Sequence, residues 1–123
     1  MKEMIYQQDR KPYEILHDSS FSGWHYIIVS YGTHPCAYVE IPPEHAFYDI
    51  DDYDRIPFEC HGGLSFADFI NEFGGGFYIG WDYAHGGDRY GLWGGLGNAK
   101  SWTIKELIDD VESTISRNFG EGD

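Results

Sequence analysis

Two histidines and two aspartates within residues 57–88 are the side chains best suited to chemistry in this chain: His61, Asp82, His85 and Asp88. His61 lies in a turn marked by Gly62-Gly63, and His85 and Asp88 flank the pair Gly86-Gly87. Between these turns runs the apolar stretch Phe77-Tyr78-Ile79-Gly80-Trp81, bounded by Gly74-Gly75-Gly76 and short enough for a buried strand. A strand ending at Asp82 delivers Asp82, His85 and Asp88 into one turn, and His61 joins them if its own segment pairs alongside. Two imidazoles and two carboxylates form a ligand set for a divalent metal such as zinc. The competing reading is structural. Aspartate at a strand end caps the following turn through the backbone, and a histidine beside aromatic residues often only hydrogen-bonds. Three features favour ligands: glycines that let both turns fold tightly, a dry wall from Phe58, Phe66, Trp81 and Tyr83, and the ligand-type chemistry of His and Asp themselves.

The elements that must position these residues read as an α+β domain, a small, mostly antiparallel sheet packed by a C-terminal amphipathic helix, with glycine-rich loops. Trp24–Tyr31 is β-branched and aromatic, and Cys36–Ile41 follows a turn over Gly32–Pro35; together they predict a hairpin stopped by Pro42-Pro43. Residues 1–23 read as irregular, with Ile5, Tyr6, Ile15 and Leu16 as anchors. Phe58–Cys60 reads as a short strand. Leu64–Phe73 reads as a strand start followed by a short helix within Ala67–Glu72, capped by Ser65. Thr103 and Glu106 form a capping-box pattern, with Trp102 placed to staple against Leu107. Ile104, Leu107, Ile108, Val111 and Ile115 make one apolar stripe, Asp109, Asp110 and Glu112 take the outer side, and Gly120 marks the stop.

Residues 44–57 interleave Asp49, Asp51, Asp52 and Asp54 with Phe47, Tyr48, Ile50 and Tyr53. No glycine at the sixth position and no glutamate at the twelfth make this a calcium loop, so a solvated acidic loop pinned by its aromatic residues is expected. Gly94–Ser101 resembles a phosphate loop only superficially, because two residues separate its last glycine from Lys100. The dinucleotide fingerprint is not matched either.

At 123 residues with 41% hydrophobic composition, the chain suits one domain spanning 1–123 with its own core. The formal charge of −13 opposes direct binding to nucleic acid or an anionic membrane and suits a basic protein partner. No signal-peptide pattern and no membrane-length apolar run is visible, so the cytoplasm is the expected compartment, with Cys36 and Cys60 as reduced thiols.

The blocks His61-Gly62-Gly63-Leu64-Ser65-Phe66 and Ile79-Gly80-Trp81-Asp82-Tyr83-Ala84-His85-Gly86-Gly87-Asp88 resemble those of a family of small phage and prophage proteins. That family carries His-Gly-Gly-Leu/Ile-Thr/Ser-Phe/Tyr and, later, Gly-Phe-Asp-x-x-His-x-Gly-Asp. Cys36-Ala37-Tyr38-Val39 and His45-Ala46-Phe47-Tyr48 are similar to its upstream blocks. The departures are Trp81 for Phe, Ala37 for Gly and Ala46 for Pro, and none falls on the four ligand candidates. The family has no equivalent of Cys60. Small acidic phage proteins of this sort include inhibitors of bacterial defence, anti-CRISPR proteins among them. Taken with the charge, the resemblance implies an inhibitor acting in the host cytoplasm on a basic nucleic-acid-handling protein such as Cas9, and the four ligand candidates add zinc to that expectation. Asp49, Asp51, Asp52, Tyr53 and Asp54, with Tyr48 nearby, are the candidate contacts. Two alternatives compete. One is a metal-dependent hydrolase with Asp82 or Asp88 as general base, disfavoured because Arg89 is the only nearby cation. The other is a pocket for a small nucleotide signal built on Tyr90 and Trp93, disfavoured by the net charge.

Overall fold

The computed structural model describes residues 13–31, 34–83 and 102–120. Its centre is a five-stranded antiparallel sheet in the order β1-β2-β3-β5-β4, formed by β1 (Glu14–Phe21), β2 (Trp24–Ser30), β3 (Pro35–Ile41), β4 (Phe66–Phe69) and β5 (Phe77–Asp82). The helix α1 (Ile104–Phe119) packs across one face. No helix among the described residues is long and apolar enough to cross a membrane.

The three central strands are apolar at successive positions because both faces of the sheet are covered. On the α1 side, Tyr26, Ile28, Val39, Ile79 and Trp81 meet Leu107, Val111 and Ile115. On the other side, Ile27, Val29, Cys36, Tyr38 and Tyr78 form a second cluster, flanked by the half-buried Tyr13, Tyr31, Phe66, Ile70 and Phe73. Alternation along each strand sends neighbouring residues into different clusters. Gly80 is required where the ring of Tyr38 crosses β5: a Cβ there would lie 2.6 Å from Tyr38 Cδ1 and 2.9 Å from the Ala37 carbonyl oxygen.

Part of residues 1–23 is not irregular. Glu14–Phe21 forms an edge strand joined to β2 by the two-residue loop Ser22-Gly23, whose φ values of 53° and 84° are those of a twisted hairpin turn. The register shifts between Ile15 and His17, bending the edge. Phe58–Cys60 is not a strand. The Asn118 side chain takes the place of a neighbouring strand, its Oδ1 accepting from Glu59 N and its Nδ2 donating to Glu59 O, both at 2.8 Å. Within Leu64–Phe73 a strand does precede a helical turn, but the turn is a 3-10 turn over Asn71–Phe73, so Ala67–Phe69 belong to β4.

In α1 the capping box is formed: Glu106 N donates to Thr103 Oγ1 at 3.1 Å and Thr103 N to Glu106 Oε1 at 3.0 Å. Trp102 packs on the same cluster that holds Leu107, and Gly120 caps the C-terminus with φ 81°. The apolar stripe is shorter than its periodicity suggests, since Ile104 is 49% exposed. Asp110 and Glu112 do not simply face outward. Each accepts a 2.6 Å hydrogen bond from a tyrosine rooted in the sheet core, Asp110 from Tyr83 and Glu112 from Tyr26.

Candidate functional site

His61 and Asp82 are brought to the same end of the sheet. Gly63 N donates to Cys60 O at 3.0 Å and closes the 60–63 turn, and Ser65 N donates to Gly80 O at 2.9 Å, pinning that turn beside the end of β5. The imidazole of His61 stacks on Tyr83, with centroids 4.9 Å apart and an interplanar angle of 18°, and meets Trp102 edge-on at 5.2 Å. Asp82 pairs in register with Cys36, and its Oδ2 accepts from Ser65 Oγ at 3.3 Å. Alternation sends the Asp82 side chain to the face opposite Trp81 and Tyr83. His85 and Asp88, the other two ligand candidates, lie outside the described residues, as do Arg89, Tyr90, Trp93 and the glycine-rich stretch 86–97. Among the described residues no group of three or more His, Cys, Asp or Glu side chains is placed to hold a metal ion. Of the four ligand candidates, His61 and Asp82 are described: they share one end of the sheet, but His61 lies against Tyr83 on the α1 side and Asp82 turns to the other face.

The wall foreseen around this cluster is divided. Phe58, Trp81 and Tyr83 are buried on the α1 side, whereas Phe66 packs against Tyr38 on the other face. The α1 side is held by a relay in which Trp81 Nε1 donates to Tyr83 Oη at 3.0 Å and Tyr83 Oη donates to Asp110. Burial, the hydrogen bond to Asp110 and its charge push the Tyr83 phenol far up, so it remains a donor.

Both cysteines are free thiols. Burial, then the charge of Asp82, pushes Cys36 up to about 12, and burial, then Asp110, pushes Cys60 up to about 12. Neither is a thiolate near neutral pH, so neither is poised as a nucleophile.

The acidic segment forms an exposed ledge. Asp49, Asp51, Asp52, Tyr53 and Asp54 are all exposed, while Phe47, Tyr48 and Ile50 are half-buried against the core and Ile56 is buried. Tyr53 therefore does not pin the loop; its neighbours do. Asp49 takes a φ of 64°, a conformation that aspartate tolerates better than most residues. Asp52 Oδ1 accepts from Asp54 N at 3.1 Å, and Arg55 N donates to Asp52 O at 2.9 Å, fixing the 3-10 turn Tyr53–Arg55.

One cluster was not foreseen. A polar row crosses the sheet on the face away from α1, from Asp18 on β1 through His25 on β2 and Glu40 on β3 to Tyr78 on β5. His25 Nε2 lies 2.7 Å from Asp18 Oδ1, and His25 Nδ1 lies 2.8 Å from Glu40 Oε1. Tyr78 Oη donates to Glu40 Oε1 at 3.4 Å and to Phe73 O at 3.1 Å. With a carboxylate on each ring nitrogen, His25 is an imidazolium clamp between strands, not a metal ligand. Only strand register, which sets Ser20 against His25 and Glu40 against Tyr78, assembles this row.

Comparisons of this chain with family models, curated proteins and solved structures return no match.

Proposed function

We propose that this protein is a phage-type inhibitory binding protein, not an enzyme, that presents its acidic ledge to a basic nucleic-acid-handling protein of the host cytoplasm, a Cas9-type nuclease being the expected target. The observation that carries this reading is the ledge. Four carboxylates stand in exposed positions on backbone fixed by a side-chain cap, by the half-buried Phe47, Tyr48 and Ile50, and by the buried Ile56. Pre-ordered carboxylates lose little freedom on binding and stand in for nucleic-acid phosphates in a basic channel. The formal charge of −13 adds long-range attraction to such a surface. The resemblance of the His61–Phe66 and Ile79–Asp88 blocks to the phage family supports the same assignment. In this reading zinc is structural, bound by His61, Asp82, His85 and Asp88, and ties the two glycine turns together.

The test is a pull-down with several Cas9-type nucleases across a salt series. Binding at low salt that weakens as salt rises, and that falls at least about tenfold in a D49N/D51N/D52N/D54N variant, is the expected result. Asparagine retains the Asp52 cap and tolerates the Asp49 backbone, so that variant keeps the fold. No capture by any nuclease at low salt would end the reading. Metal analysis of protein purified without added metal tests zinc separately. One equivalent, lost in Asp82→Ala and His85→Ala, is expected; its absence removes zinc and leaves the ledge standing.

A further inference from the structure

On the face of the sheet away from α1 the described residues leave a cavity. Tyr13, Tyr31, Tyr38, Phe66 and Phe73 line this cavity of about 280 Å³ together with Asp68, whose Oδ1 accepts from Phe69 N at 2.7 Å, and Glu72. The rings are set at angles to one another. Tyr13 meets Phe73 edge-on at 6.0 Å, Tyr38 meets Phe66 edge-on at 5.3 Å, and Tyr38 meets Phe73 at 5.8 Å and 62°. Tyr31 and Tyr38 are joined through their hydroxyls at 3.0 Å. Burial and the bond to Tyr31 push the Tyr38 phenol far up, so this ring stays neutral.

Aromatic walls with acidic groups at their margin select cations, because ring faces carry negative potential. Size narrows the class. At about 280 Å³ the cavity lies below the range of about 300–1,000 Å³ usual for small-molecule sites, so it suits one side chain better than a nucleotide. Between the cations a protein offers, a planar guanidinium stacks on a ring while its fork meets carboxylates, whereas an ammonium does only part of this. We infer that this cavity takes an arginine side chain of a basic protein partner, stacked among Tyr38, Phe66 and Phe73 and paired with Asp68 and Glu72. The inference deepens the proposed function and rests on it for the source of the arginine. The ledge attracts over distance, and the cavity reads one residue at contact.

The test uses the full chain and small probes. Amide and aromatic NMR spectra are followed during titration with Nα-acetyl-arginine amide, its uncharged isostere Nα-acetyl-citrulline amide, and Nα-acetyl-lysine amide. The arginine probe is expected to shift Tyr38, Ile70 and Phe73 with a millimolar dissociation constant, and the citrulline probe to bind about tenfold more weakly. A D68N/E72Q variant, altered only at the wall and checked for an unchanged melting temperature, should lose that difference. Phe73→Leu, which keeps the apolar contact, should weaken arginine more than citrulline. Equal binding of arginine and citrulline would reduce the site to an apolar cleft. Lysine binding as tightly as arginine would overturn the guanidinium assignment, and no shifts at these residues would overturn the site. If nuclease capture fails while arginine binds, the partner reading falls and the cavity stands. If a nuclease is captured equally by wild type and D68N/E72Q, the ledge stands and this inference falls.

Discussion

Replacing Tyr83 by phenylalanine tests the relay that supports the β5 end of the candidate site. The hydroxyl accepts from the indole of Trp81, itself only 1% exposed, and donates to Asp110 at 2.6 Å. Its removal deletes a hydrogen bond to a carboxylate, worth about 1.5–3 kcal/mol, and leaves the buried indole N–H unpaired, at about 1–3 kcal/mol. These losses share one hydroxyl and overlap, so the expected cost is about 3 kcal/mol. Tyr26→Phe is the internal control. Tyr26 is equally buried and donates to Glu112 at the same distance, but among the described residues no buried N–H donates to its oxygen as the Trp81 indole does to Tyr83. It should cost about half as much. Urea denaturation reads both. With a slope of about 1–3 kcal/mol/M, Tyr83→Phe should lower the midpoint by about 1–3 M with the slope unchanged. A midpoint no lower than that of Tyr26→Phe would refute the argument that the orphaned indole carries the difference.

Three further outcomes follow from the same geometry. Burial lowers the His25 pKa, but the hydrogen bonds to Glu40 and Asp18 and their charges outweigh it, and the net value lies above the ordinary 6.5. The clamp's stabilisation is therefore complete below the unfolded pKa and lost as pH climbs through the higher folded value; urea midpoints should fall over that window in wild type and stay level in His25→Gln, and a level wild-type profile would count against the clamp. Gly80→Ala forces a Cβ against Tyr38 and the Ala37 carbonyl and should cost about 1–3 kcal/mol, so a melting temperature within about 2 °C of wild type would show that the strands give way easily. Asn118→Ala removes both bonds to Glu59 and should cost about 1–2 kcal/mol while speeding hydrogen exchange at the Glu59 amide; unchanged protection there would place the donor's partner elsewhere.

What the sequence disclosed follows from burial. β2, β3 and β5 are covered on both faces and so spell continuous apolar runs, and α1 carries both its stripe and its capping box in plain view. β1 is hidden because an edge strand needs few apolar residues, and His-Asp-Ser-Ser looks like loop. Its one signal is Ser22-Gly23 between Phe21 and Trp24, a two-residue turn flanked by large aromatic residues. Asp110 and Glu112 are acidic residues on an amphipathic helix, and nothing local shows that tyrosines from distant strands reach them. The same holds for His25 and Glu40, fifteen positions apart in the chain, which meet only through β2–β3 register. Asp82 at a strand end was legible because glycines and an apolar run frame it. That His61 comes to the same end of the sheet through a turn pinned at Ser65, with Phe58–Cys60 held by an asparagine nearly sixty residues downstream in place of a paired strand, has no local signal.

β1 also has a protective consequence. Behind it runs β2, whose Tyr-Ile-Ile-Val core is uncharged and strongly strand-forming. If β1 were peeled away, the exposed backbone of β2 would be a template for pairing with other chains, the first step of aggregation. Its bent, polar neighbour, held by the strand ladder and by the His25–Asp18 contact, keeps that template occupied, so conditions that discharge His25 should loosen this edge and shorten the protein's shelf life before they unfold its core.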